Sequence, residues 1–272
     1  MKTLWAGLMG FLTFFQINVS IAQDNNQIEL SRESGVRIIS RSGNSSGSGF
    51  FIGDQTVVTC FHVVAKLTIQ GQTIDAAIYP DLQVVIPSGE TIDATVVSVP
   101  TQSDPTPKND DFALIQLKNA PKKAISKVVL ATESEFPNVG DEVVFSGYPL
   151  GTPGMVTHRG MVSGFDDSRA LIFVEAPINK GNSGGGLLNA QGHAIGIVCD
   201  RVGGISKGLG DLSAYITETE SHGRVAIMGV DPLQATKALI ETLDTYISTG
   251  MGYAISIKFA RDYISKSPQL VK

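Results

Sequence analysis

The chain has 272 residues, a formal net charge of −5 and two cysteines. A mildly acidic chain without basic runs argues against nucleic acid as a partner. Two cysteines are too few for a disulfide framework, and too few for a cysteine-based metal site.

The N-terminal segment, residues 1–22, is predicted to be a removable signal peptide. A positive start is followed by the mostly apolar run Leu4–Phe15, and residues 20–22 supply the small side chains of a cleavage site. Gln16 and Asn18 interrupt the run well before the roughly 20 apolar residues that a membrane anchor needs. We therefore expect an exported protein, periplasmic or secreted, with no stable membrane insertion after signal removal.

The next part of the chain indicates an all-β protein. Residues 23–35 are mostly polar and are predicted to be a flexible arm. From there to about residue 198, short apolar segments are separated by clusters of Gly, Pro, Asn and Asp, which predicts strands at Phe50–Ile52, Gln55–Thr59, Leu82–Ile86, Ala94–Val99, Phe112–Leu117, Glu142–Ser146, Leu171–Glu175 and Ala194–Val198. Many short strands with Gly-rich turns predict a sandwich or a barrel.

The C-terminal part has a different pattern. Asp231 and Pro232 form a typical helix start. Apolar residues then recur on one helix face, at Leu233, Ile240, Leu243 and Ile247. A second helix is predicted over residues 258–267. The Gly-rich and polar residues 201–230 fit either a mobile surface loop or a lid over a substrate cleft.

Three segments contain the residue types that acyl transfer to a serine requires. His62 follows an apolar run, Asp111 opens another, and Ser183 lies within the glycine-framed run 181–185. A serine hydroxyl needs a neighbouring base, and the pKa of histidine suits that role. A buried carboxylate holds the imidazole in one tautomer. We predict these three residues as a catalytic triad, with Asp110 as a solvated acid beside Asp111.

The order of the three residues and the glycines around the serine add detail. The chain order His, Asp, Ser is that of chymotrypsin, and differs from the orders in subtilisin and the α/β-hydrolases. Glycines let the backbone turn its N–H groups into a site, and a tetrahedral oxyanion needs such donors. The N–H groups of Gly181 and Ser183 are the predicted oxyanion hole.

These motifs resemble the protease domain of the HtrA-type trypsin-like serine proteases. The matching segments, in the correct order, are Gly47–Phe50, Val57–Val64, Asn109–Ile115, Gly147–Gly151, Thr157–Gly164 and Ile178–Gly185, and Gly252–Ile255 resembles the strand that closes the second barrel. The resemblance implies an all-β fold, a chymotrypsin/trypsin-like double antiparallel β-barrel of two six-stranded barrels. The protease domain would span 36–272, with a C-terminal helical insertion at 200–249 and a C-terminal tail.

The chain departs from the family pattern at three points. Gly186 replaces the usual proline, the insertion at 200–249 is longer than the usual connection, and no PDZ domain follows. The resemblance therefore leaves the oligomeric state open.

The resemblance also implies a substrate pocket. Pro177 stands six residues before the serine, where trypsin has the acid that holds Lys or Arg. With Ile178, Asn179 and Val198 it would form an uncharged pocket for a small or medium aliphatic residue before the scissile bond.

Cys60 and Cys199 both lie beside the predicted triad. In the resembled fold their two strands approach the triad. They are either two small buried thiols or a disulfide across the site, whose geometry depends on the fold.

The predicted function is that of a serine endopeptidase. It would hydrolyse peptide bonds of exported or extracellular proteins through an acyl-enzyme, with protein or peptide substrates and with no metal or organic cofactor. The alternative is a protease-like binding or regulatory protein with a weak or silent active site. A third possibility, an esterase with the same triad, fits the fold signals less well.

Overall fold

The computed structural model describes residues 26–70, 73–98, 111–201, 207–223, 226–246 and 250–271. The predicted signal peptide lies outside these residues. Among the helices in the described ranges, none is long and apolar enough to cross a membrane.

The first half of the chain forms a closed barrel of six antiparallel strands. In chain order they are β1 (Gly35–Ser40), β2 (Ser45–Phe51), β3 (Thr56–Thr59), β6 (Gln83–Val85), β7 (Thr91–Ser98) and β8 (Ala113–Leu117). They pair in the order β1-β2-β3-β8-β7-β6. Between β3 and β6 lie a single helical turn, α2 (Phe61–Val64), and a hairpin of β4 (Ala65–Gln70) and β5 (Thr73–Ile78). Apolar side chains such as Ile38, Val84 and Leu114 point inward and are buried, as expected for strands with one face toward a core.

The second half forms a second closed six-stranded barrel. Its strands are β9 (Glu142–Gly147), β10 (Val156–Phe165), β11 (Leu171–Glu175), β12 (Gly186–Leu188), β13 (Ala194–Arg201) and β14 (Met251–Ser256). They pair in the order β10-β11-β14-β13-β12-β9. The predicted all-β double barrel is therefore confirmed. The strand predicted around 252–255 lies between β11 and β13 and closes this barrel.

The N-terminal arm differs from its prediction. Residues 26–34 form a helix, α1, instead of part of a flexible segment over 23–35. Ser31 is buried and its hydroxyl donates a 2.9 Å hydrogen bond to Ser146 of β9. Arg32 binds Thr157 of β10 at 2.9 Å, and Leu30 packs against the core. The polar composition suggested a solvated arm, but these polar side chains have partners on the second barrel.

The insertion also differs from the surface loop considered for residues 201–230. It contains α3 (Lys207–Ser221) and, after it, the predicted helix, α4 (Pro232–Tyr246). Asp231 caps α4, because its Oδ1 accepts a 2.9 Å hydrogen bond from the N–H of Leu233. The two helices pack on each other, and each buries one isoleucine, Ile216 and Ile240. The insertion is therefore a helical hairpin.

The C-terminal helix, α5 (Lys258–Lys266), follows the last strand of the second barrel but packs on the first. The ring of Tyr263 meets Phe112 edge-on, with centroids 5.9 Å apart, and its hydroxyl is bonded to Ser98 of β7. Beyond α5, the carbonyl of Leu270 accepts a 3.3 Å hydrogen bond from Thr56 of β3. α1 leads into the first barrel but packs on the second, whereas α5 follows the second barrel but packs on the first. Each terminal segment therefore connects the two barrels.

Candidate active site

His62 and Asp111 are brought together by the register of two paired strands. β3 and β8 pair antiparallel with Thr59 opposite Ala113. Extending that register beyond the strand ends brings α2, which holds His62, next to Asp111. The carboxylate accepts two hydrogen bonds from the histidine, one from the backbone N–H at 2.9 Å and one at Nδ1 at 2.6 Å. The imidazole is thus held by the contact that a catalytic base needs.

The charges of this pair stabilise each other. Burial lowers the pKa of His62, but the charge and the hydrogen bond of Asp111 outweigh burial and raise this pKa well above its usual value. Burial raises the pKa of Asp111, but the charge and hydrogen bonds of His62 outweigh it and lower this pKa. The pair therefore favours an ionised carboxylate beside an imidazole that readily accepts a proton.

The raised pKa of His62 predicts how activity depends on pH. Only the neutral imidazole can take a proton from a serine, so kcat/KM should rise with pH through the pKa of His62 in the free enzyme. The midpoint should lie above about 6.5, the ordinary value for histidine. In Asp111→Asn the carboxylate charge is gone, so the midpoint of the residual activity should fall. A wild-type midpoint at or below about 6.5 would contradict the assignment.

Ser183 lies in a turn that precedes β12 and is tied to both barrels. Its carbonyl accepts a 2.8 Å hydrogen bond from the N–H of Ser48 in the first barrel. The next residue, Gly184, has a φ of +94° and donates from its N–H to the carbonyl of Val198 at 2.7 Å. Positive φ is a conformation that favours glycine. The glycine-framed run thus forms a fixed turn, because its backbone groups have partners on both sides.

Ser48 is the residue that connects this turn to its surroundings. Its side chain is fully buried. Its hydroxyl donates to the carbonyl of Gly181 at 2.7 Å and accepts from the N–H of Tyr148 at 2.9 Å. Its own carbonyl accepts a 2.7 Å hydrogen bond from Thr59. One serine of the first barrel therefore positions the loop that holds Ser183 in the second.

Two backbone donors of the turn face no protein acceptor. Within the described part of the chain, the N–H groups of Gly181 and Ser183 have no acceptor, whereas those of Asn182, Gly184 and Gly185 do. Gly181 has a φ of +97° and lines the same cleft as Ser183. These are the two donors predicted for the oxyanion hole, and their arrangement leaves them available to a ligand.

The hydroxyl of Ser183 does not point to the imidazole. It donates a 2.6 Å hydrogen bond to the backbone carbonyl of Cys199. Between Ser183 and the His62 ring, both within the described residues, there is no hydrogen bond. In the absence of substrate such contacts are often long, and they close in the reacting complex. A rotation about the Cα–Cβ bond of Ser183 is therefore the step that would complete the triad.

Both cysteines are free thiols, the first of the two alternatives that the sequence left open. Cys60 is fully buried and donates to the carbonyl of Val198 at 3.3 Å. The thiol of Cys199 donates to Asp111 Oδ2 at 3.0 Å. The two sulfur atoms, one ring nitrogen of His62 and a carboxylate oxygen of Asp111 all lie within 4.8 Å of one another. Cys199 is therefore in direct contact with Asp111, and Cys60 lies in the same cluster.

The site opens into a cleft of about 750 Å³. His62, Gly181 and Ser183 line it, together with charged side chains of Arg37, Arg41, Lys180 and Asp200. The four residues predicted to bind substrate, all described, are absent from this lining: Ile178 and Val198 are buried, Pro177 is exposed and Asn179 is half-buried. The substrate pocket remains a prediction, and the open cleft lies on the side of β1 and β2.

Sequence reasoning did not assign a role to Ser48 or to the carbonyl of Cys199. Ser48 lies in the Gly47–Phe50 motif that contributed to the family resemblance, so the motif was the available signal. The role of the Cys199 carbonyl could not be predicted from the sequence. Every residue has a backbone carbonyl, and only the fold determines which of them accepts the hydrogen bond of Ser183.

The fold and the sequence together define the class of protein. A family model described as trypsin-like peptidase domain matches residues 47–197. The chain belongs to this family of trypsin-like peptidase domains.

Individual relatives agree with the HtrA-type resemblance. The chain is 30% identical over 199 residues to putative protease Do-like 14 of Arabidopsis thaliana, covering 67% of this chain and 43% of that protein. It is 34% identical over 160 residues to the periplasmic serine endoprotease DegP of Escherichia coli, covering 56% and 29%. A probable DegP-like periplasmic serine endoprotease of Brucella suis is 35% identical over 159 residues, covering 56% and 27%. The chain thus spans less than half the length of each.

Solved structures show the same fold. The Rv3671c protease in its inactive form has a TM-score of 0.55 at 18% identity, covering 89% of this chain and 93% of that one. The serine endoprotease from Yersinia pestis also has a TM-score of 0.55, at 19% identity, covering 89% and 65%.

Proposed function

We propose that the chain is a serine endopeptidase that hydrolyses peptide bonds of exported or extracellular proteins, with His62, Asp111 and Ser183 as its triad. The observation that carries the proposal is the 2.6 Å contact of His62 Nδ1 with Asp111 in a cleft that Ser183 also lines. Membership of the trypsin-like peptidase family and relatives named as serine endoproteases support it.

Acylation begins with the rotation of Ser183 away from the carbonyl of Cys199. The Nδ1–H of His62 donates to Asp111, so Nε2 is unprotonated and accepts the hydroxyl proton as Oγ attacks the scissile carbonyl carbon. The resulting imidazolium is stabilised by the carboxylate. The oxyanion of the tetrahedral intermediate accepts hydrogen bonds from the N–H groups of Gly181 and Ser183.

Collapse of the intermediate breaks the peptide C–N bond. His62 returns the proton to the leaving amine, which leaves an acyl group on Ser183. A water molecule then gives a proton to the same imidazole and attacks the ester, and the acid product leaves with the free serine restored. Every proton is carried by His62, so no metal or organic cofactor enters the proposed reaction.

The proposed location is outside the cytoplasm, in the periplasm or secreted. The three-part signal pattern of residues 1–22 supports export. The names of the relatives from Escherichia coli and Brucella suis include the word periplasmic, which agrees with this location.

The test is labelling by a fluorophosphonate probe, which reacts with an activated serine. Wild-type protein should be labelled and should digest casein, whereas Ser183→Ala should do neither while its circular dichroism is unchanged. Ser134→Ala removes an exposed serine outside the cleft and should behave as wild type. Labelling that persists in Ser183→Ala would reject Ser183 as the nucleophile.

One observation favours the second candidate, a protease-like binding or regulatory protein with a silent site. The hydroxyl of Ser183 is bonded to the carbonyl of Cys199 and not to His62. If this arrangement also persists with substrate bound, folded wild-type protein will neither react with the probe nor cleave casein. Labelling with release of a small ester, but without digestion of unfolded protein, would instead indicate an esterase.

A further inference from the structure

The two cysteines and the histidine–aspartate pair form a compact set of metal-ligand atoms. We propose that Cys60, Cys199, His62 and Asp111 bind a Zn²⁺ ion and that the bound ion switches off the protease. This proposal rests on the proposed function for its effect, but the binding site itself stands on geometry alone. Two cysteines by themselves are too few for a metal site, and the fold adds the two missing ligands.

The distances suit a tetrahedral ion. The two sulfur atoms, one ring nitrogen of His62 and a carboxylate oxygen of Asp111 lie within 4.8 Å of one another, and Nδ1 is the nitrogen that contacts Asp111. Zinc bonds of about 2.0–2.3 Å at tetrahedral angles place neighbouring ligand atoms about 3.3–3.8 Å apart. The Nδ1 to Oδ2 distance is 2.6 Å and the Cys199 Sγ to Oδ2 distance is 3.0 Å. To hold the ion, these two close pairs need to separate by less than about 1 Å, and any pair near the 4.8 Å limit needs to approach by about 1 Å.

The ligand types select the metal. Two thiolates with one imidazole and one carboxylate match the donors that zinc prefers, whereas magnesium and calcium prefer all-oxygen sites. Cys60 also has an outer partner, the carbonyl of Val198 at 3.3 Å, which helps to orient its side chain. Binding would release the two thiol protons to solvent, since the thiolate is the form that binds metal.

The ion would have access from the cleft. The His62 side chain is 38% exposed, whereas that of Asp111 is 11% exposed and both cysteines are buried. A swing of the imidazole into the cleft opens a path to the sulfur atoms behind it. Because Cys60 follows β3 in the first barrel and Cys199 lies on β13 in the second, a bound ion would also join the two barrels.

A metal ion bound at this site would change which ring nitrogen of His62 carries the proton. When a metal takes Nδ1 of a neutral imidazole, the ring proton sits on Nε2. Nε2 is the nitrogen that has to accept the proton of Ser183, and in this form it can only donate. The ion also takes the carboxylate of Asp111. Zinc at this site is thus incompatible with the proposed catalytic cycle.

The experiment uses the full chain with its thiols reduced and with Co²⁺ as a spectroscopic probe. Sulfur-to-cobalt charge-transfer absorption should reach a plateau at one ion per chain and should disappear when Zn²⁺ is added. Zinc should raise the melting temperature, because it binds the folded state, and block fluorophosphonate labelling until a chelator is added. Cys60→Ser and Cys199→Ser each remove a ligand, so each should weaken metal binding by more than the roughly 10–100-fold that loss of an outer-shell partner costs. Inhibition is measured against each variant's own metal-free rate.

His193→Ala is the matched control. His193 forms the other histidine–carboxylate pair, with Glu135 at 2.5 Å, and it lies outside the cleft lining. This variant should bind cobalt and respond to zinc as wild type does.

Three outcomes would overturn the zinc site. They are the absence of a charge-transfer band in reduced protein, zinc inhibition that is unchanged in both cysteine variants, and the absence of titratable thiols in protein isolated without reductant. The last outcome would mean that Cys60 and Cys199 are joined as a disulfide instead. If the wild type fails to react with the probe but binds cobalt, the proposed protease function and the inhibitory effect of the ion fail together, whereas the metal site stands.

Discussion

Replacing Asp111 with Asn is expected to lower kcat about 10⁴-fold while leaving the fold intact. The carboxylate accepts hydrogen bonds from both the N–H and Nδ1 of His62, so it fixes which ring nitrogen carries the proton. An amide presents its NH₂ group to Nδ1 and favours the tautomer with the proton on Nε2. That tautomer cannot accept the proton of Ser183. The substitution impairs the proton transfer and not the binding of substrate, so KM should change little.

The measurement is steady-state hydrolysis of a peptide substrate by the purified variant, with thermal unfolding as a check on folding. The neighbouring acid supplies the control, because Asp110→Asn makes the same chemical change one residue away. That control should keep wild-type kcat. A large loss in Asp110→Asn with activity retained in Asp111→Asn would reverse the assignment of the two acids.

Gly184→Ala is expected to damage both stability and activity. Gly184 has a φ of +94°, and an added Cβ would collide with the carbonyl oxygen of Ser48 and the hydroxyl of Thr59. Neither neighbour is free to move, because the two are hydrogen-bonded to each other in the buried region between the barrels. Strain and overpacking together should cost about 2–5 kcal/mol. Relief of the clash would also displace Ser183, the residue next to Gly184, from its position in the turn and so lower activity.

A second glycine separates these two contributions. Gly89 also has a positive φ, +84°, but a Cβ there meets no heavy atom within 4 Å. Gly89→Ala should therefore carry only the conformational cost of about 1–2 kcal/mol and keep full activity. Urea unfolding and peptide hydrolysis of both variants test this. Equal destabilisation by the two substitutions would show that the packing around Gly184 is looser than the structure indicates.

The strands that the sequence predicts well are those with a continuous apolar run. β8 is Ala-Leu-Ile-Gln-Leu and all but its glutamine are buried, so its pattern is clear. β10 was not predicted, because its residues include His158, Arg159 and several glycine and serine positions that lie partly exposed. α3 was also missed, because Gly208 and Gly210 lower helix propensity near its start and Ile216 is its one buried residue among those whose burial is described.

At the candidate site, the types of residue could be predicted from the sequence, but the directions in which their side chains point could not. The identities of His62, Asp111 and Ser183 follow from the chemistry that each must perform and from their order in the chain. The rotation of the Ser183 hydroxyl toward Cys199 depends on where β13 places one carbonyl. The contact of the Cys199 thiol with Asp111 depends on how the two barrels meet. Such inter-barrel geometry has no local sequence signal, because it joins residues that are far apart in the chain.

The packing of α5 on the first barrel has a consequence for how the protein is made. Asp111 is followed directly by Phe112, whose ring packs against Tyr263 of α5. During synthesis from the N-terminus, all three predicted triad residues are made well before residue 263. The nascent first barrel therefore forms before the ring of Tyr263 can pack on Phe112. The face of the first barrel that Tyr263 covers is thus completed only after most of the chain has been made.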